Sequence, residues 1–261
     1  MSNCYLCGQE RKFVKAHAVP EAFFRVLRLD KGPPLLVSGV PGDFPKNAPI
    51  GVYDETILCE YCEPLFGDVD HYGIEVLLKN FDKHFRPITR GSQQVAFQSD
   101  TADPIKLLRF LLAVLWRSSI SKHVFYRHVS LGPYENLAKV FALDSSQLPP
   151  SVFDAVLSRW RSEPEFDLPR TGLLDPRPEK WSGVNSYRLY LGEIIAYIKI
   201  DSRPFPQQLR SHSLQFGLPV TIVTREMSKS KDLVAMKNTA RRSHTNLSNF
   251  RLGHSRKQRA V

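Results

Sequence analysis

Two cysteine pairs carry the clearest chemistry in this 261-residue chain, Cys4-Tyr5-Leu6-Cys7-Gly8 and Cys59-Glu60-Tyr61-Cys62. Two residues between thiols let both sulfurs turn toward one ion at about 2.3 Å, and two such pairs supply the four ligands of a tetrahedral zinc site. A shell closed by four thiolates leaves no position for water. The ion is therefore expected to be structural, tying the N-terminus to the segment after Cys62. Gly8 suits the left-handed turn that ends such a knuckle. Two unrelated reduced pairs, or a thiol redox site, are the other readings of the same residues, and the long separation of the pairs argues against the redox one.

Between the pairs lies Lys15-Ala16-His17-Ala18-Val19-Pro20. A zinc knuckle, a His-x-x-Pro and a second Cys-x-x-Cys opening a helix resemble the treble-clef, ββα-metal form of the HNH nuclease family, over about residues 4–75. The resemblance implies a two-stranded ribbon ending in a histidine that deprotonates water. It also implies a following helix that ligates one divalent cation at the scissile phosphate. His17 then matches the general base. Asp54, in Asp54-Glu55-Thr56-Ile57-Leu58-Cys59, matches the residue that holds the catalytic loop and orients the histidine. Glu63 falls where the family has its final metal ligand.

Three departures from the family pattern bear on chemistry. Ala16 stands where an acid commonly binds the cation, Asp54 replaces the asparagine, and Glu63 replaces a histidine or asparagine. Carboxylates are good ligands for hard cations, so Asp54 and Glu63 are expected to rebuild a Mg²⁺ or Mn²⁺ site. Asp70 would share a helix face with Glu63 if the helix starts directly after Cys62, which Pro64 in its first turn permits. The alternatives are a His17 hydrogen-bonded into the core, Glu63 as a helix-start acid, and Asp68 and Asp70 as a solvated face.

The elements that must position these residues follow from periodicity and punctuation. The breakers Gly32-Pro33-Pro34, Pro41-Gly42, Pro45, Pro49 and Gly51 make residues 30–51 loop or short strand. Val69, Tyr72, Val76, Leu77 and Phe81 form a helical stripe over 68–85. Asp103-Pro104 reads as a cap followed by proline at the first helical position, opening a buried helix with Leu107, Leu108, Leu111, Leu112, Leu115 and Trp116. Further helices are expected over Pro133–Phe141 and Ser151–Trp160. Alternation over Ser186–Ile200, interrupted by Gly192-Glu193, predicts a hairpin, and Leu218–Thr224 a further strand. The expected fold class is α+β, with the zinc module at 1–90, a helical then antiparallel-stranded domain at 91–225, and a basic, mobile tail at 226–261.

Charge and composition narrow the partners. With 42% hydrophobic and 24% charged residues the chain is globular rather than disordered. No run of 18 uncharged apolar residues exists, which argues against a membrane span, and residues 1–10 lack the apolar region of a secretory leader. Reduced, metal-spaced cysteines are expected in the cytoplasm. Of the net +10, residues 226–261 carry +7. Such an arm favours a polyanion by counterion release, with Lys237, Arg241, Arg242, Arg256 and Lys257 as its phosphate contacts. The expected activity is therefore metal-dependent, HNH-type cleavage of DNA, as in defence against phage, with the second domain positioning substrate or receiving a regulatory protein subunit. The alternatives are a non-catalytic zinc module that grips nucleic acid or a protein, and an adaptor with a merely solubilising tail.

Overall fold

The computed structural model describes residues 3–27, 34–36, 45–144, 146, 149–163, 173–181 and 183–258, with Leu35 and residues 246–258 described by their backbone alone. Its first part is built of short pieces, as expected of a segment rich in proline and glycine. They are β1 (Ala16–His17), α1 (Glu21–Arg25), β2 (Leu35–Leu36), β3 (Lys46–Asn47) and β4 (Tyr53–Asp54). β1 pairs antiparallel with β4, and β2 with β3. After the second cysteine pair a 3₁₀ turn at Glu63–Phe66 leads into α2 (Gly67–Ile74), a π-helical stretch at Glu75–Lys79 and α3 (Phe81–His84). The stripe read over 68–85 is thus helical in pieces, broken where Asn80 leaves the helical region at φ −122° and ψ 32°.

The second part is a seven-stranded sheet with helices over it. Its strands and helices are β5 (Arg86–Arg90), β6 (Gln93–Ser99), α4 (Pro104–Ile120), α5 (Glu135–Leu143), β7 (Phe153–Trp160), β8 (Arg177–Trp181), β9 (Val184–Leu191), β10 (Ile194–Ile200), α6 (Gln207–Arg210), β11 (Val220–Arg225) and α7 (Lys231–Gln258). The sheet order is β5-β6-β11-β7-β10-β9-β8. The cap at Asp103 is as expected, its carboxylate accepting from the amides of Ile105 at 2.8 Å and Lys106 at 3.1 Å. So is the hairpin, in which Leu191 pairs with Ile194 and Gly192 takes the left-handed φ of +67°.

Two expectations are corrected, the helix over 151–160 and the purely antiparallel sheet, and two further observations bear on how the chain divides. Residues 153–160 form the strand β7, not a helix. Phe153, Ala155 and Leu157 bury in the main core while Val156 and Trp160 bury in clusters on the opposite face. A strand covered on both sides loses its alternation, so its apolar spacing passes for a helix. The sheet is mixed, since β11 runs parallel to β7 with Ile222 opposite Leu157. The division at residue 90 falls inside the β5–β6 hairpin, whose first strand already belongs to the sheet. The C-terminal segment is helical over Lys231–Gln258 and docked at its start. Leu233 is buried with Trp160, Tyr190 and Tyr197, and the Ser230 hydroxyl accepts from the Leu233 amide at 3.1 Å.

One hydrophobic core joins the two parts. It runs from Cys4, Phe23 and Phe66 through the buried length of α4 to Leu157, Leu189, Ile198 and Ile222. α2 approaches α4 closely at Gly73, where an added Cβ would stand 2.4 Å from the Phe110 ring. Among the described residues no helix is long and apolar enough to cross a membrane.

Candidate metal centre and the histidine ribbon

The four cysteines converge. Their sulfurs lie within 4.8 Å of one another, with Cys7 Sγ 4.0 Å from Cys59 Sγ. The edges of a tetrahedron drawn by four zinc–sulfur bonds would be about 3.8 Å, so the cluster fits an ion if its widest separations close by up to about 1 Å. Each knuckle is shaped by its backbone. The Gly8 amide donates to Cys4 O at 2.8 Å with Gly8 at φ +69°, and the Cys62 amide donates to Cys59 O at 3.0 Å. Cys4, Cys59 and Cys62 are buried, Cys7 is exposed, and all four are unbridged thiols. Burial alone would push the Cys4 thiol up. Hydrogen bonds from the backbone at Cys7, Cys59 and Leu6 outweigh it and bring that thiol down to about 7. Burial and the neighbouring sulfurs push Cys62 up. Packing four sulfurs this tightly penalises ionising all of them unless a cation sits among them. The donor set is thus one that could hold a metal ion such as zinc.

His17 and Asp54 sit on neighbouring rungs of the β1–β4 ribbon, with Ala16 opposite Asp54 and His17 opposite Tyr53. Facing residues of a ribbon share a side, and successive residues alternate. His17 and Tyr53 therefore share one face, their ring centroids 5.9 Å apart, while Ala16 and Asp54 share the other. The half-buried His17 ring donates from Nε2 to the Ile50 carbonyl at 2.8 Å, which leaves Nδ1 as the basic nitrogen.

Asp54 is 8% exposed and fully engaged. One oxygen accepts from the Thr56 amide at 2.8 Å and hydroxyl at 2.7 Å. The other accepts from the Ser121 hydroxyl and the Lys122 amide, both at 2.8 Å. Burial opposes its charge, and these four donors more than compensate, holding the carboxyl below its usual range. Both oxygens of Asp54 are thus engaged by donors of the fold. Asp70 is also taken, by both terminal nitrogens of Arg117. Glu63, half-buried at the start of the 3₁₀ turn, is the one candidate carboxylate whose side chain has no partner among the described residues. Among those residues the cysteines form the only group of three or more histidine, cysteine or acidic side chains close enough to hold one ion. His17, Asp54, Glu63 and Asp70 are not gathered as a second centre.

Sequence reasoning overlooked the loop after α4. His123 there accepts at Nδ1 from the Phe125 amide at 3.1 Å, and burial lowers its pKa although Asp54 nearby opposes this. The signal was present as a basic run without an acid, Ser121 to His128. Lys237, Arg241 and Arg242 are exposed on α7, as a phosphate-contacting role requires, while the side chains of Arg256 and Lys257 lie outside the described residues. Comparison with known proteins finds no matching family model, no matching curated protein and no matching solved structure.

Proposed function

We propose that the chain is a nucleic-acid-binding protein organised by a structural zinc on an HNH-like, treble-clef scaffold, in which a cation site for hydrolysis is not assembled. One observation carries this reading: two of the three candidate ligand carboxylates, Asp54 and Asp70, are consumed by hydrogen bonds inside the fold. The net charge of +10 and the exposed cations on α7 support a polyanionic partner. The zinc, held by Cys4, Cys7, Cys59 and Cys62, would clasp the N-terminus to the segment that opens α2 and do no chemistry.

A second reading has its own support. A histidine that donates one ring N–H to a backbone carbonyl keeps its other nitrogen basic and fixed, as a general base needs. Mg²⁺ is often held by one or two carboxylates plus substrate phosphate, so Glu63 alone could suffice once DNA is bound. Under that reading the protein is a metal-dependent nuclease with His17 as base, and a role in defence against foreign DNA belongs to it.

Plasmid DNA incubated with Mg²⁺ or Mn²⁺, alongside a binding measurement at low salt, separates the two. Binding without nicking, equal for wild type and His17→Ala, is the expected result. Nicking that depends on the cation and vanishes in His17→Ala would establish the second reading instead. Absence of binding even at low salt would remove both.

A further inference from the structure

The segment Ser121-Lys122-His123-Val124-Phe125-Tyr126-Arg127-His128 carries four basic side chains and no acid. Such runs are usually loose, and this one is pinned throughout. Ser121 Oγ and the Lys122 amide donate to Asp54, and the His123 amide donates to Ser121 Oγ at 3.1 Å. The Phe125 amide donates to His123 Nδ1. Tyr126 is 1% exposed, and its hydroxyl accepts from the Val19 amide at 3.4 Å, just beyond the end of β1. The loop is thereby fastened at Ser121 and Lys122 to β4, and at Tyr126 to the segment just after β1.

On this fastened loop the side chains of Lys122 and Arg127 stand exposed. Lys122 has no ion-pair partner among the described residues. Arg127 Nε donates to the exposed His128 at 3.1 Å. Lys46 lies near enough to disfavour a proton on His123, adding a further positive group. Two acids close to this loop have partners outside it or in its backbone and Ser121, Asp54 with its four donors and Asp175 with Arg177 at 3.0 Å.

We infer that the loop Ser121–His128 is a preorganised phosphate-contacting surface for a nucleic-acid strand, with Asp54 as the residue that fixes it beside the histidine ribbon. This rests on the nucleic-acid reading above and names where contact is made. Cations spread along a chain segment suit successive phosphates. Because the backbone is already ordered, little conformational freedom is lost when the strand arrives. The arrangement also gives Asp54 a purpose that needs no metal.

The test is fluorescence anisotropy with a labelled DNA duplex and its single strand over a range of salt. Lys122→Glu combined with Arg127→Glu should weaken binding about tenfold or more and lower the salt slope by about two, with circular dichroism and metal content unchanged. The neutral pair Lys122→Gln and Arg127→Gln should lose less affinity, and serves if the reversed charges disturb folding. Reversal of the exposed Lys180 and Arg90 should cost clearly less. Wild-type affinity and slope in the loop variants, or an equal loss from Lys180 and Arg90, would overturn the inference while the binding reading stands. A wild-type chain that fails to bind at low salt overturns both.

Discussion

Arg117, 1% exposed at its side chain, donates through both terminal nitrogens to the two carboxylate oxygens of Asp70, at 2.7 and 2.5 Å. Its guanidinium carbon also lies 4.9 Å from the centre of the Phe66 ring. The pair bolts α2 to α4, and so fixes the segment after the second cysteine pair to the main core. Removing one partner of a buried pair strands the other charge, so Asp70→Ala should cost about 3–5 kcal/mol in urea unfolding. Asp70→Leu combined with Arg117→Met should cost less than Asp70→Ala alone. Equal stability of Asp70→Ala and wild type would mean that the pair is solvated and does not brace the helices.

The four cysteines predict about one tightly held zinc per chain. Cobalt substituted for zinc should give the thiolate charge-transfer bands of a tetrahedral sulfur site, and Cys59→Ser should abolish them. Ligation needs thiolates, so uptake releases protons and affinity falls as pH drops. Cys4, whose thiol backbone hydrogen bonds bring down, is more readily deprotonated than Cys62, whose thiol burial pushes up, so affinity should fall throughout the range as pH drops. Metal analysis and competition with a chelator between pH 6 and 8 would read this out, on a scale set by ordinary thiol titration. Protein purified under reducing conditions with no zinc, and unable to take up cobalt, would contradict it.

Asp54 should be a stability residue first. Asp54→Ala leaves four donors without their acceptor, a loss of about 3 kcal/mol. Its folded pKa is depressed, so the charged form favours folding. That contribution is complete above the unfolded value near 4 and fades as pH falls through the folded one. The stability difference between wild type and Asp54→Asn should therefore shrink below about pH 4. A difference that stays constant through the acid range would assign the effect to shape, not charge.

Asp232 anchors the C-terminal helix. It is buried beside Arg188 and accepts from the Tyr190 hydroxyl at 2.5 Å, while its second oxygen lies 3.8 Å from Arg225 without a hydrogen bond. Leu233 and Met236 accompany it from α7 among the described residues. Asp232→Ala should cost about 3 kcal/mol and raise amide exchange selectively over residues 231–243. Exchange that rises equally across the whole sheet would show that the helix and sheet open as one unit.

Part of this architecture was legible from residue types and spacing. The knuckles, the capped helix from Pro104, the hairpin at Gly192-Glu193 and the strand near Leu218 are each set by contacts a few residues apart, where local chemistry is strong. The helix expected over 151–160 failed because burial on both faces of β7 is decided by partners far along the chain. In the arm at 226–261, Lys237, Arg241 and Arg242 are exposed on α7, while Asp232 and Leu233 are buried against the sheet through contacts that local composition does not show.

For the candidate site, sequence alone picked out the four cysteines that converge, since two short cysteine spacings leave little freedom in how each pair presents its sulfurs. It also nominated His17 and three carboxylates, and it could not say where those carboxylates point. Tertiary structure decided that. Ribbon alternation turned Asp54 away from His17 toward Ser121 and Lys122, and the packing of α2 on α4 delivered Asp70 to Arg117. A carboxylate buried near a donor is held by it because an unpaired charge in the interior costs several kcal/mol. Which donor arrives is settled by contacts dozens of residues apart in the chain, and those have no trace in local spacing.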